Sequence, residues 1–138
     1  MSLKSPEAVL RSALLGNATF SGLVGTRVFP LLAPANASMP YVTWRRSGIS
    51  REQTLGLPMG VPKVSVEFSI YGTTYYQVRD VADAMRKVLD GYAATSDNTE
   101  VKQCSLEDES DDLAILDGSE VPNAYAVTQT YEVMWQET

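Results

Sequence analysis

Alternation of apolar and polar positions is sharpest in two stretches. Val64, Val66, Phe68 and Ile70 alternate with Lys63, Ser65, Glu67 and Ser69, a period that predicts a strand with one buried and one wetted face. Towards the C-terminus, Tyr125, Val127, Tyr131, Val133 and Trp135 share one parity, with Gln129 the single interruption, while Thr128, Thr130, Glu132 and Gln136 take the other. This predicts a second strand packed on one side. Between them the period changes. Tyr75, Val78, Val81, Ala82, Met85, Val88 and Leu89 recur at spacings of three and four, the stripe of an amphipathic helix. Gly72 ends the preceding strand, Thr73 or Thr74 caps the helix, Asp90-Gly91 stops it, and Asp83 with Lys87 forms a candidate pair one turn apart. Tyr75 is expected to fill the core, with Tyr71 and Tyr76 straddling the helix entry as half-buried aromatics.

The rest of the chain is less regular. Ser5 can cap a helix that Pro6 and Glu7 open, and Val9, Leu10, Ala13 and Leu14 form its apolar stripe before Gly16-Asn17. Asn17 to Val24 reads as a shorter helical turn with Phe20, Leu23 and Val24 inward, broken at Gly25-Thr26, and Arg27 to Pro30 as a short extended piece. Pro34 and Pro40 make residues 32–40 a loop, and Tyr41 to Arg46 a strand. Residues 47–62 hold Gly48, Gly56, Gly60, Pro58 and Pro62 around Leu55, Leu57 and Met59 and read as a long excursion whose apolar side chains need cover. Residues 99–109 read as extended, followed by an acidic cluster, Glu107, Asp108, Glu109, Asp111 and Asp112, that reads as a solvated loop. Two main helices and about four strands, without strict β/α alternation, give an α+β class: a mainly antiparallel sheet with both helices on one face. With 138 residues and no linker-like tract, residues 1–138 are expected to form one domain.

Composition narrows the chemistry. The formal charge of −6 argues against a general nucleic-acid binder, because phosphate neutralisation needs a surplus of Lys and Arg on one face. It is compatible with a wall past which DNA slides without sticking. The chain has no histidine, so an activated serine has no customary base, and its single cysteine, Cys104, cannot form an internal disulfide. The acidic cluster lacks the alternating oxygen ligands, glycine and closing glutamate of a calcium loop. No catalytic, cofactor-binding or metal-binding residue is assigned, and no apolar run is long enough to span a membrane or to form the core of a signal peptide. Arg45-Arg46, with Arg51, is the one basic concentration; neighbouring strand residues point to opposite faces, so the pair cannot form a single patch. An intersubunit salt bridge from these arginines to residues 107–112 is a testable use.

The order of these pieces resembles one family. An opening helix is followed by Gly25-Thr26-Arg27-Val28-Phe29-Pro30, Met39-Pro40-Tyr41-Val42, the strand Val64 to Tyr71, and Tyr76 with the helix ending Val88-Leu89-Asp90-Gly91. Leu106-Glu107-Asp108-Glu109 and an aromatic final strand close the chain. In this the chain resembles the tail completion or tail terminator proteins of long-tailed bacteriophages, the functional relatives of lambda minor tail protein U. The resemblance implies a non-enzymatic virion subunit, assembled in the bacterial host cytoplasm. It forms a homo-hexameric ring at the head-proximal end of the tail tube. Such a ring stops tube polymerisation, meets the tail tube protein and the head connector or stopper protein, and lets DNA through its lumen without specific binding. Candidate subunit or partner contacts are Arg45, Arg46, Arg51, Leu55, Leu57, Met59, Asp108, Glu109, Asp111 and Asp112. Two other readings stand beside it: a head-side stopper or adaptor, and a small ligand-binding or enzymatic α+β domain, which predicts a deep pocket with convergent polar groups.

Overall fold

The computed structural model describes residues 6–34, 37–50, 53–54, 57–58, 63–96, 99–114 and 124–137. Helix α1 spans Pro6–Leu15 and buries Val9, Leu10 and Leu14; the proposed cap Ser5 lies outside the described residues. Helix α2 spans Ala18–Val24, its first turn capped by the Asn17 side chain, which accepts the Phe20 N–H at 3.0 Å. Gly25 then takes a φ of +63°, the left-handed geometry that glycine adopts without a Cβ penalty, and its N–H closes the helix on Ser21 O.

Strands β1 (Val28–Pro30), β2 (Tyr41–Ser50), β5 (Lys63–Gly72), β6 (Ala94–Ser96), β7 (Thr99–Ala114) and β8 (Ala124–Glu137) build the main sheet in the order β1-β2-β5-β8-β7-β6. A small hairpin, β3 (Gln53–Thr54) with β4 (Leu57–Pro58), stands apart from it. The four long strands β2, β5, β8 and β7 are mutually antiparallel, as the class requires, and the two three-residue strands at the edges make the sheet six-stranded rather than four-stranded. The sheet is mixed because β1 lies parallel to β2.

Register decides which side is the core. Val42, Ile70 and Val127 align across β2, β5 and β8; Phe68 aligns with Gln129, Val66 with Tyr131, and Val64 with Val133 and Cys104. All of the apolar members belong to one buried cluster with Leu10, Leu14, Phe20, Val24, Val78, Val81, Met85 and Leu89 of the helices. The helices therefore cover one face of the sheet. On the other face, alternate β5 residues from Lys63 to Tyr71 remain partly exposed.

Helix α3 (Tyr75–Leu89) follows β5 after a two-residue turn, and this junction is closely specified. The Thr74 hydroxyl accepts the Gln77 N–H at 3.1 Å while Gln77 Oε1 accepts the Thr73 N–H at 2.8 Å, a reciprocal arrangement akin to a capping box. A Cβ on Gly72 would meet Val78 Cγ1 at 2.7 Å and Gln77 Oε1 at 2.8 Å, so any larger residue would have to displace these side chains where the first turn of α3 folds down against the end of β5.

Several expectations change. Strand β2 runs past Arg46 to Ser50, a bulge between Arg46 and Gly48 taking up Ser47 as the extra residue, so the excursion shortens to 51–62 and carries the β3–β4 hairpin. The acidic residues are not in a loop: Asp108 to Asp112 lie within β7, opposite Thr130 to Ala126 of β8. Main-chain pairing is indifferent to side-chain charge when the strand is at a wetted edge. Tyr75 is 41% exposed rather than core. Helical side chains lean towards the N-terminus, and at the first position that direction leads off the end of the packed stripe. Asp83 is bound not by Lys87 but by Arg79, one turn earlier.

Candidate assembly surface

Strand β7 has β6 on its outer side only over 99–101; from Lys102 onward it is a sheet edge among the described residues. An edge presents unpaired N–H and C=O groups to any passing strand. Here carboxylates cover the donors. Asp90 Oδ1, at the end of α3, accepts the Leu106 N–H at 3.1 Å; Asp108 Oδ1 accepts the Glu109 N–H at 2.9 Å; Asp112 Oδ1 accepts the Leu113 N–H at 2.7 Å. The change of parity between Leu106 and Glu109 matches the bulge between Leu106 and Asp108. Run and bulge together leave an edge that is negative and has three of its N–H groups already bonded to carboxylates.

The inward carboxylates of β7 hold α3. Glu109 accepts from Arg79 Nη1 at 2.9 Å, Asp111 from the same nitrogen at 3.5 Å and from the Tyr75 hydroxyl at 3.0 Å, while Arg79 Nη2 reaches Asp83 at 3.2 Å. Burial disfavours the Arg79 charge, but the hydrogen bond and charge of Glu109 outweigh it and raise its pKa. The hydrogen bond to Asp111 raises the pKa of Tyr75 by favouring its neutral form. Glu109 also accepts from Gln129 Nε2 at 2.6 Å, which links this surface to the interior. Gln129 is fully buried: Nε2 donates as well to Ala82 O at 3.0 Å, and Oε1 accepts the Tyr131 hydroxyl at 2.7 Å. Burial raises the pKa of Tyr131 and keeps that hydroxyl a donor. The lone polar residue in the β8 alternation is thus satisfied on both ends of its amide.

The arginines of β2 face opposite sides of the sheet, as their adjacency requires. Arg45, on the open face, pairs with Glu67 at 3.2 Å. Arg46, on the helix face, pairs with Glu7, whose carboxylate is 3% exposed at the positive end of α1. Strands β5 and β8 separate them from β7, so within one chain they do not meet residues 107–112. Arg51, Leu55 and Met59 lie outside the described residues, and of Leu57 only its place in β4 is described. The structure brings Asp108, Glu109, Asp111 and Asp112 together along β7. Sequence reasoning missed Arg79 and Gln129 as their partners; the interruption at position 129 was the available signal.

Around Tyr75 lies an exposed aromatic patch. Tyr75 meets Tyr76 and Tyr125 edge-on, with ring centroids 6.1 and 6.5 Å apart, and Leu113 is the register partner of Tyr125. Among the described residues no group of His, Cys, Asp or Glu is arranged to hold a metal ion, and no helix is long and apolar enough to cross a membrane. Burial pushes the Cys104 thiol up to about 12, so it stays neutral and unreactive at ordinary pH.

Comparison with known proteins gives two findings. The family described as tail completion protein gp17 matches residues 8–116. Among solved structures, a chain of the "Virion of native gene transfer agent (GTA) particle" superposes with a TM-score of 0.76 at 12% identity, covering 92% of this chain and 91% of that one. At that identity the likeness establishes the fold. No curated protein matches the sequence.

Proposed function

The chain belongs to the tail completion protein gp17 family, and from that premise we propose that it forms a ring, a homo-hexamer, at the head-proximal end of a phage tail tube. There it halts polymerisation of the tube protein and offers the surface that the head connector or stopper protein joins. It works by binding, without turnover, and its acidic charge lets DNA traverse the lumen without adhering. The proposed location is the virion, after assembly in the host cytoplasm.

The observation that carries the reading is the family match over most of the chain. The similarity in fold to a component of a virion particle, nearly end to end on both chains, supports it. A ring needs heterologous contacts, in which one patch of a subunit meets a different patch of the next.

Deleting the protein from a phage that carries it tests the proposal. The expected result is tails of uncontrolled length that fail to join heads, with the purified protein binding tube ends in electron micrographs. Tails of normal length that join heads normally would overturn it. Normal tails that fail only at joining, with the protein recovered on heads, would favour a head-side stopper instead.

A further inference from the structure

Among the described residues, the large apolar side chains that stand exposed fall into two groups on different parts of the fold. Tyr75, Tyr76, Tyr125 and Leu113 form one, where α3 begins over β7 and β8. Leu31 and Leu32, 73% and 82% exposed, form the other, where the chain leaves β1 beside β2. Leu31 is held with a φ of +63°, a left-handed conformation uncommon for a side chain of its size, by its N–H to Trp44 O at 2.8 Å. Leu32 is tied by its N–H to Pro30 O at 2.6 Å. Both leucines are fixed outward, against their own preference for burial.

The charges around the two groups are opposite. Near the leucines, Arg11 and Arg27 donate to the neutral carbonyls of Val28 and Pro40 at 3.1 and 2.9 Å, and Arg45, next along β2 from the Trp44 carbonyl that holds Leu31, faces Glu67. Beside the tyrosines, three carboxylates, Asp83, Glu109 and Asp111, share the one cation Arg79. Along the β7 edge the Glu109 and Leu113 N–H groups are taken by Asp108 and Asp112, which disfavours strand addition there and favours contact through side chains.

We propose that the Leu31–Leu32 corner of one copy of this chain seats on the Tyr75–Tyr76–Leu113–Tyr125 patch of a second copy, with its arginine border against that copy's acidic border. The occupant is a second copy because one chain carries both halves of the match. The contact is heterologous, so it continues from copy to copy until rotation closes it. This rests on the ring reading above and supplies its subunit contact: tyrosine rings present large amphipathic area at little entropic cost, and opposite borders fix orientation.

Sedimentation of the full chain with Leu32→Ser and with Tyr76→Ser tests it; both sites are exposed, and thermal unfolding checks that each variant keeps its fold. The wild type is expected to associate, more weakly as salt rises. Each variant is expected to associate ~tenfold more weakly or less still. Mixing the two is expected to restore a one-to-one dimer, because one retains the corner and the other the patch. Association of both variants at wild-type strength would overturn this contact while leaving the ring standing, as would mixing without rescue. A wild type that stays monomeric both alone and on tail-tube ends would remove the contact and the ring together.

Discussion

Strands β5 and β7 both pair with β8 along most of their length, one on each side of it, yet they are opposite in character. In β5 every second residue from Val64 to Ile70 is buried and its neighbours are half-exposed. In β7 burial ends after Cys104, and the strand continues through five carboxylates between 107 and 112. The central strand is held by apolar area removed from water, the edge strand by pairing with β8 and by hydrogen bonds that its own acidic side chains make to the exposed backbone. A strand with two neighbours has a face to bury; one with a single neighbour has an edge to protect. Acidic residues protect it in two ways, by occupying its donors and by repelling other strands.

That contrast predicts an ordered series of effects. Phe68→Ala, at the centre of β5, is expected to cost about 3–5 kcal/mol in urea unfolding, since Phe68 is fully buried beside Tyr131. A loss below about 1 kcal/mol would break the claim that the centre carries the stability. Gly72→Ala is expected to cost about 1–3 kcal/mol, because Val78 must move from a packed position. Gln129→Ala, on the strand between the two regions, is expected to cost about 1–3 kcal/mol by orphaning Tyr131 and Ala82. Asp112→Asn on the edge is expected to change stability by less than about 0.5 kcal/mol, whereas replacing Asp108 and Asp112 together by Thr should bring aggregation at unchanged melting temperature.

Cys104 sharpens the comparison from the point at which β7 turns from core to edge. Its thiol should resist a colourimetric thiol reagent at about pH 8 in the native chain and react on unfolding. Its folded pKa is raised from 9.0 to about 12, so its contribution is fully present below 9.0 and is lost as pH climbs towards about 12. Rapid native labelling would mean that the edge opens further inward than the buried positions of β7 indicate.

Local pattern was enough for β5, α3, most of β8 and both short helices, because the alternation and the three-and-four spacing are set by backbone geometry within a few residues. The same reasoning placed Arg45 and Arg46 on opposite faces. It took the acidic run for a loop, because a strand's tolerance of charge depends on whether another strand lies outside it. That in turn depends on β6 covering β7 only over 99–101. It placed Tyr75 inside, because where a helix runs off its sheet is a matter of packing and not of period. The grouping of the four acidic positions along one segment was legible, while the exposure of Leu31, Leu32, Tyr76 and Tyr125 was not.

By itself, then, the amino-acid order determined the faces of the elements, the α+β class and the resemblance that the family match bears out. Only the tertiary structure decided which strand became an edge, that Glu109 joins Arg79 to Gln129, and that two apolar groups with opposite borders remain at the surface. The physical reason is range. A side chain's direction follows from its immediate neighbours in the chain, whereas its exposure follows from segments brought beside it by folding, and Glu109 and Arg79 are 30 residues apart.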